Sequence, residues 1–214
     1  MSIVNLLKDA TPKYELTLPS SGEKKSFRPF LVKEEKILLM AKESSDELTV
    51  MKAVRDLIEA CVEDINDIEN LPMFDIEYIY LQLRGKSIGE LLTPTYSFPE
   101  TGEEIKLNIN IDDIKVKFDK KHTNEIEITK DIIITMKYPC ISILSEIQNH
   151  EEHNLVPLFN LIVHTIDKIE TKEETLSCDV LSIKELTEFV SNFTKDQYEK
   201  VVKFFSTSPK LESV

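Results

Sequence analysis

IKLNINIDDIKVKF, residues 105–118, is the stretch on which the fold class turns. Ile105, Leu107, Ile109 and Ile111 alternate with polar residues, and Ile114, Val116 and Phe118 resume the alternation after Asp112-Asp113. A period of two puts every apolar side chain on one face of a strand, whereas a helix would scatter the same residues around its circumference. Ile126 with Ile128 and Ile132 with Ile134 extend the pattern, so residues 93–138 are expected to form an antiparallel β-meander. Pro99-Glu100-Thr101-Gly102 supplies turn chemistry after Tyr96 to Phe98, glycine accepting positive φ without steric cost.

Outward from this zone the period changes on both sides. Toward the N-terminus, Tyr14 to Leu18 alternates, and Phe27 to Val32 reads as a second extended piece in which Pro29 biases Arg28 away from helix, giving a small hairpin through Pro19 to Gly22. A helical layer follows. Ile37, Leu38, Met40 and Ala41 form one segment, and Val50, Val54, Leu57, Ile58, Cys61 and Val62 recur at helical spacing behind a cap at Ser45 or Asp46. A third helix is expected from Pro72 to Arg84, with Gly85 interrupting it. Toward the C-terminus, Ile141, Leu144 and Ile147 restore the helical period and Leu155 to Ile169 continues it. Capping-box patterns at Ser182-x-x-Glu185 and Thr194-x-x-Gln197 announce two more helices. The class is therefore α+β: residues 1–92 as a β element with a helical layer, 93–138 as the meander, and 139–214 as a helical bundle.

A chain of 214 residues can bury a real core without staples. Its 26 basic and 39 acidic residues leave a net charge of -13, which repels phosphate backbones and anionic lipid, so neither nucleic acid nor membrane is an expected partner. Cys61, Cys140 and Cys178 are odd in number and never paired as CxxC, the usage of a reducing cytosol. Ile3 to Leu7 is too short for a signal-peptide core, and no run reaches the length of a membrane span. The expected location is the cytoplasm of the cell that makes the protein.

Catalytic and metal motifs are approached and missed. Gly85-Lys86-Ser87 copies the end of a phosphate-binding loop, but Tyr80 stands where that loop requires glycine. His150 and His153 are three apart, with His164 beyond; the catalytic zinc pattern needs a spacing of four and a helical glutamate between, so an interhelical loop is the expected reading. The Tyr96 to Ile105 hairpin has the outline of a zinc knuckle without a cysteine or histidine in it. No serine sits in a Gly-x-Ser-x-Gly elbow, and pairs such as Asp112-Asp113 and Glu173-Glu174 are ordinary surface in so acidic a chain. No catalytic, cofactor-binding or metal residue is assigned, no cofactor or small-molecule substrate is expected, and a metal-dependent hydrolase using His150, His153 and His164 ranks last among the functions considered.

Interaction chemistry remains. Phe74, Ile76, Tyr78, Ile79, Tyr80, Leu81 and Leu83 are too dense for one exposed stripe, so this helix is either buried on most sides or awaits a partner. On a helix from Lys195 to Ser206, Tyr198, Val201, Val202 and Phe205 share a face with Phe204 toward its edge; closing the bundle and contacting another subunit are the two readings. Arg84 and Lys86 are expected to pair internally with Glu77 or Glu90.

Arg28-Pro29-Phe30, Val32 to Met40, Leu71-Pro72-x-Phe74-Asp75-x-Glu77-Tyr78, Leu81 to Arg84 and Lys86-Ser87-x-Gly89-Glu90 resemble the baseplate hub and hub-assembly family of T4-like bacteriophages. Met136 to Pro139 and Phe204-Phe205 through Leu211 agree more loosely. The resemblance implies a non-enzymatic tail protein of the baseplate hub pathway, either incorporated at the hub of the virion or acting as a transient chaperone in the host cytoplasm. Its implied partners are other hub or tape-measure proteins, with self-association open. Partner contact is expected through Phe74, Tyr78, Tyr80, Leu83, Arg84, Phe204 and Phe205, and polar replacements at Tyr80 and Leu83 are expected to abolish it.

Overall fold

In the computed structural model, which describes residues 11–44, 46–149 and 157–213, the chain is α+β, with seven α-helices and twelve strands among the described residues. All the paired strands with a described register are antiparallel. By internal contacts it divides into two units, residues 1–117 with 211–214 and residues 118–210.

In the first unit, β1 (Tyr14–Thr17) and β2 (Lys24–Phe27) form a hairpin through the expected Pro19 to Gly22 turn, Tyr14 opposite Phe27 and Leu16 opposite Lys25; the tight turn brings the second strand to residues 24–27, ahead of the expected Phe27 to Val32. Gly22 closes its turn at φ +72°, a conformation a side chain disfavours. Three helices follow: α1 (Val32–Glu43), α2 (Glu47–Cys61) and α3 (Met73–Ser87). Asp46 caps α2, its carboxylate accepting the Thr49 N–H at 3.1 Å. Gly85 does not interrupt α3. It is buried inside the helix against Ile111, and the chain leaves helical geometry only after Ser87. Tertiary packing has overridden a propensity cost of about 1 kcal/mol.

Short antiparallel pairs then join β3 (Leu91–Leu92) to β6 (Ile109–Asn110) and β4 (Thr95–Ser97) to β5 (Glu104–Lys106), and β7 (Ile114–Lys117) pairs with the terminal β12 (Lys210–Ser213). The alternation of residues 105–118 is thus spent on several two-stranded ladders. In β7 it leaves Ile114 and Val116 half-buried and their neighbours exposed.

The second unit is built on one four-stranded sheet ordered β11-β10-β9-β8, where β8 is Glu125–Thr129, β9 Ile132–Met136, β10 Ile166–Thr171 and β11 Thr175–Ser177. Ile126, Ile128, Ile134 and Met136 point from β8 and β9 into a core shared with Ile162, Val163, Ile166, Ile169, Leu186, Val190, Val201 and Phe204. Helices α4 (Ile141–Asn149), α5 (Pro157–Thr165), α6 (Ile183–Ser191) and α7 (Lys195–Thr207) complete it. Both predicted capping boxes are made: Ser182 with Glu185 at 2.8 and 3.3 Å, and Thr194 with Gln197 at 2.7 and 3.4 Å.

The expected end of the helix before β10 is corrected as well. Helix was expected through Ile169, but α5 ends at Thr165 and residues 166–171 are strand β10 in the sheet. Ile162, Ile166 and Ile169 fit a helical stripe, yet Thr165 turns its hydroxyl back onto the Leu161 and Ile162 carbonyls, and pairing with β9 satisfies the backbone that follows.

Candidate partner-binding surfaces

Three of the segments that carry the family resemblance, Arg28 to Phe30, the start of α1 and the end of α3, meet in one network. Arg28 donates to the Ala60 carbonyl at the end of α2 at 2.8 Å and to Glu34 of α1 at 3.1 Å. Glu34 is buried and accepts the Leu31 N–H at 2.7 Å, the acidic half of a capping box. Burial pushes its carboxyl up, but the Leu31 amide with Arg28 and Lys33 outweighs that and holds it below the ordinary range. Phe30 N–H donates at 2.9 Å to the Ser87 hydroxyl, which donates to Leu83 O at 2.6 Å. Gly85-Lys86-Ser87 is therefore the last turn of a helix that ties down the Arg-Pro-Phe segment, with Lys86 paired to Glu90 four residues on.

At the start of α3, Asp75 is fully buried and accepts both the N–H (3.0 Å) and the hydroxyl of Ser20 from the β1–β2 turn. Burial raises its carboxyl, the Ser20 bonds pulling the other way. Between α2 and α3 an apolar groove of about 450 Å³ is lined by Val50, Met51, Val54, Met73, Ile76 and Tyr80, with Glu47 and Glu77 at its edges. Burial beside these walls pushes the Glu77 carboxyl up, although the residue keeps contact with solvent. The outward face of α1 also leaves Val32, Ile37, Leu39 and Met40 exposed.

Residues 11–213 match the family model of the T4 bacteriophage base plate protein. The chain belongs to this family. Comparison with curated proteins and with solved structures yields no match.

Within this baseplate-family chain the seven residues singled out from sequence fall in different places. Phe74 and Leu83 are buried in the first unit and Phe204 in the second, while Tyr78, Tyr80, Arg84 and Phe205 are half-buried. Tyr80 alone of them lines the groove; Arg84 donates to Gly89 O at 3.4 Å. On α7 the buried centre is Val201 and Phe204, so Phe204 is not at the edge of the face. It is drawn inward by His122 and Tyr138, whose rings lie 5.0 and 5.5 Å from it. His122 bonds Thr207 at 2.9 Å and Tyr138 at 2.8 Å, and burial holds its pKa down.

His150 and His153 lie outside the described residues; His164 is buried with Nδ1 bonded to Asn160 O at 2.9 Å. Among the described residues no group of three or more His, Cys, Asp or Glu is arranged to hold a metal ion, and no helix is long and apolar enough to cross a membrane. The three thiols are buried, and burial pushes Cys61 and Cys178 up to about 11, where the nucleophilic thiolate is scarce near neutral pH. The groove itself has no signature in the sequence. Val50 and Val54 recur at the same helical spacing as Leu57, Ile58 and Cys61, and nothing in that spacing distinguishes the part of a stripe left open by its neighbour.

Proposed function

We propose that this protein acts in the baseplate hub pathway through protein–protein contacts and without catalysis, and that the groove between α2 and α3 receives an apolar, basic-edged helix of another hub or tape-measure protein. The observation that carries the reading is the groove: two adjacent helices leave an apolar, methionine-containing floor open between acidic edges. Such a floor adapts to an amphipathic helix laid along it, and a surface of net charge -13 steers basic partners toward it. In support, Glu34, Asp75 and His122, whose titration the fold displaces, are each engaged in internal bonds.

The test pairs mass spectrometry of purified particles with capture from infected cells. Association with other baseplate proteins supports the reading. Presence in particles at fixed stoichiometry marks a hub subunit, and capture without presence marks an assembly chaperone. A chain found with no baseplate protein in either material overturns the proposal.

A further inference from the structure

The first unit contains the same hairpin twice. Leu18-Pro19-Ser20-Ser21-Gly22-Glu23 and Phe98-Pro99-Glu100-Thr101-Gly102-Glu103 share proline, hydroxyl, glycine and glutamate at matching places. Their turns are superimposable in their bonding. Leu18 N–H donates to Glu23 O (2.8 Å) and Gly22 N–H to Leu18 O (2.8 Å), as Phe98 N–H does to Glu103 O (2.9 Å) and Gly102 N–H to Phe98 O (2.8 Å). The side chains agree too, Glu23 N–H meeting Ser21 Oγ at 3.2 Å and Glu103 N–H meeting Thr101 Oγ1 at 3.3 Å. Gly22 and Gly102 have φ of +72° and +70°, and the ladder register is the same, Leu16 opposite Lys25 and Tyr96 opposite Ile105.

The two copies differ in what covers them. On one face of the first, Leu16, Leu18, Lys25 and Phe27 are 5, 2, 7 and 1% exposed, and its tip is seated on Asp75 of α3. The matching face of the second carries Tyr96, Phe98, Ile105 and Leu107, all apolar, and these are 63, 43, 47 and 44% exposed. Every residue from 93 to 108 is exposed. A two-stranded hairpin is marginal in water without a surface to lie on, and a contiguous apolar face on such a module marks a docking site.

We infer that the β4–β5 hairpin is a docking module whose Tyr96, Phe98, Ile105 and Leu107 face is covered, as its twin is covered internally, by an apolar patch edged with Lys or Arg on another baseplate protein. The edge chemistry follows from the substitutions between the copies: Glu100 stands where Ser20 is, and Glu104 where Lys24 is, so with Glu103 the tip presents three carboxylates. A second copy of a chain with net charge -13 is the wrong partner for them. The inference rests on the proposed contact function, but uses a surface separate from the groove.

The experiment places the photoreactive residue benzoylphenylalanine at Tyr96 and, as a control, at the exposed Val180, in the full chain co-expressed with the other baseplate proteins of the phage. Cross-linking from position 96, absent from 180, to a Lys- or Arg-rich segment of one of those proteins supports the inference. The purified pair then weakens about tenfold or more at low salt for Glu100→Gln/Glu103→Gln/Glu104→Gln, and less at high salt. Cross-links to a second copy overturn it. So does co-purification with baseplate proteins without a cross-link at 96, which leaves the proposed function standing. No co-purification at all sinks both.

Discussion

Asp75 and Glu34 are two buried carboxyls whose protonation answers to opposite forces. Desolvation dominates at Asp75, so its raised pKa contributes stability in full below the ordinary carboxylate range, and that contribution is lost as pH rises through the folded value. Urea unfolding from about pH 4 upward should therefore show a declining contribution that Asp75→Asn flattens. Asp75→Ala instead strands the Ser20 donors and should cost about 1–3 kcal/mol. At Glu34 the Leu31 amide, Arg28 and Lys33 prevail over burial, and the lowered pKa contributes stability above the ordinary range that is lost as pH falls through the folded value. Glu34→Gln should cost about 1–2 kcal/mol near pH 7 and little in acid, read from the same denaturant series. Neither behaviour was legible in the chain, where both residues look like surface acids in a sequence rich in them. What sets them apart is the burial of Asp75 beneath the β1–β2 turn and the approach of Arg28 to Glu34, both products of folding.

The helix α3 shows how far periodicity carries and where it stops. Its apolar density announces a helix that is either buried on most sides or awaits a partner, and Phe74, Ile76, Ile79 and Leu83 are buried. Of its half-buried apolar residues, Met73 and Tyr80 line the groove. Tyr80→Lys with Met51→Lys should leave the circular dichroism spectrum and melting temperature nearly unchanged while abolishing partner capture. Leu83, fully buried, should unfold the first unit when made polar, so it is the wrong residue with which to probe contact. Gly85 offers a sharper check on the helix. A β-carbon there would meet Ile111 only at 3.5 Å, ordinary contact, so Gly85→Ala should stabilise by about 0.5–1 kcal/mol, measured as a raised melting temperature. A loss would mean that the backbone at 85 departs from helix.

The chain as a whole returns on itself: after the second unit, residues 211–214 belong to the first, where β12 pairs with β7. Lys117 bonds Glu212 at 2.8 Å across that pair. Deleting residues 210–214 should therefore speed hydrogen exchange in residues 114–117 and lower the melting temperature by a few degrees, at about 2–4 °C per kcal/mol for a chain of this size. A tail irrelevant to the first unit would change neither. Alternation, helical period, capping boxes and proline–glycine turns, all local properties, were enough to place the α+β class, both predicted hairpins and the capped starts of α6 and α7, because each is stabilised by neighbours a few residues away. The end of α5, the burial of Gly85 and the inward position of Phe204 depended on β9, Ile111 and the His122–Tyr138 pair, which lie far off in the chain. Open surface is a long-range property of the same kind: whether Tyr80 or Tyr96 meets solvent is set by which distant element fails to cover it, and no spacing rule within a helix or strand encodes that.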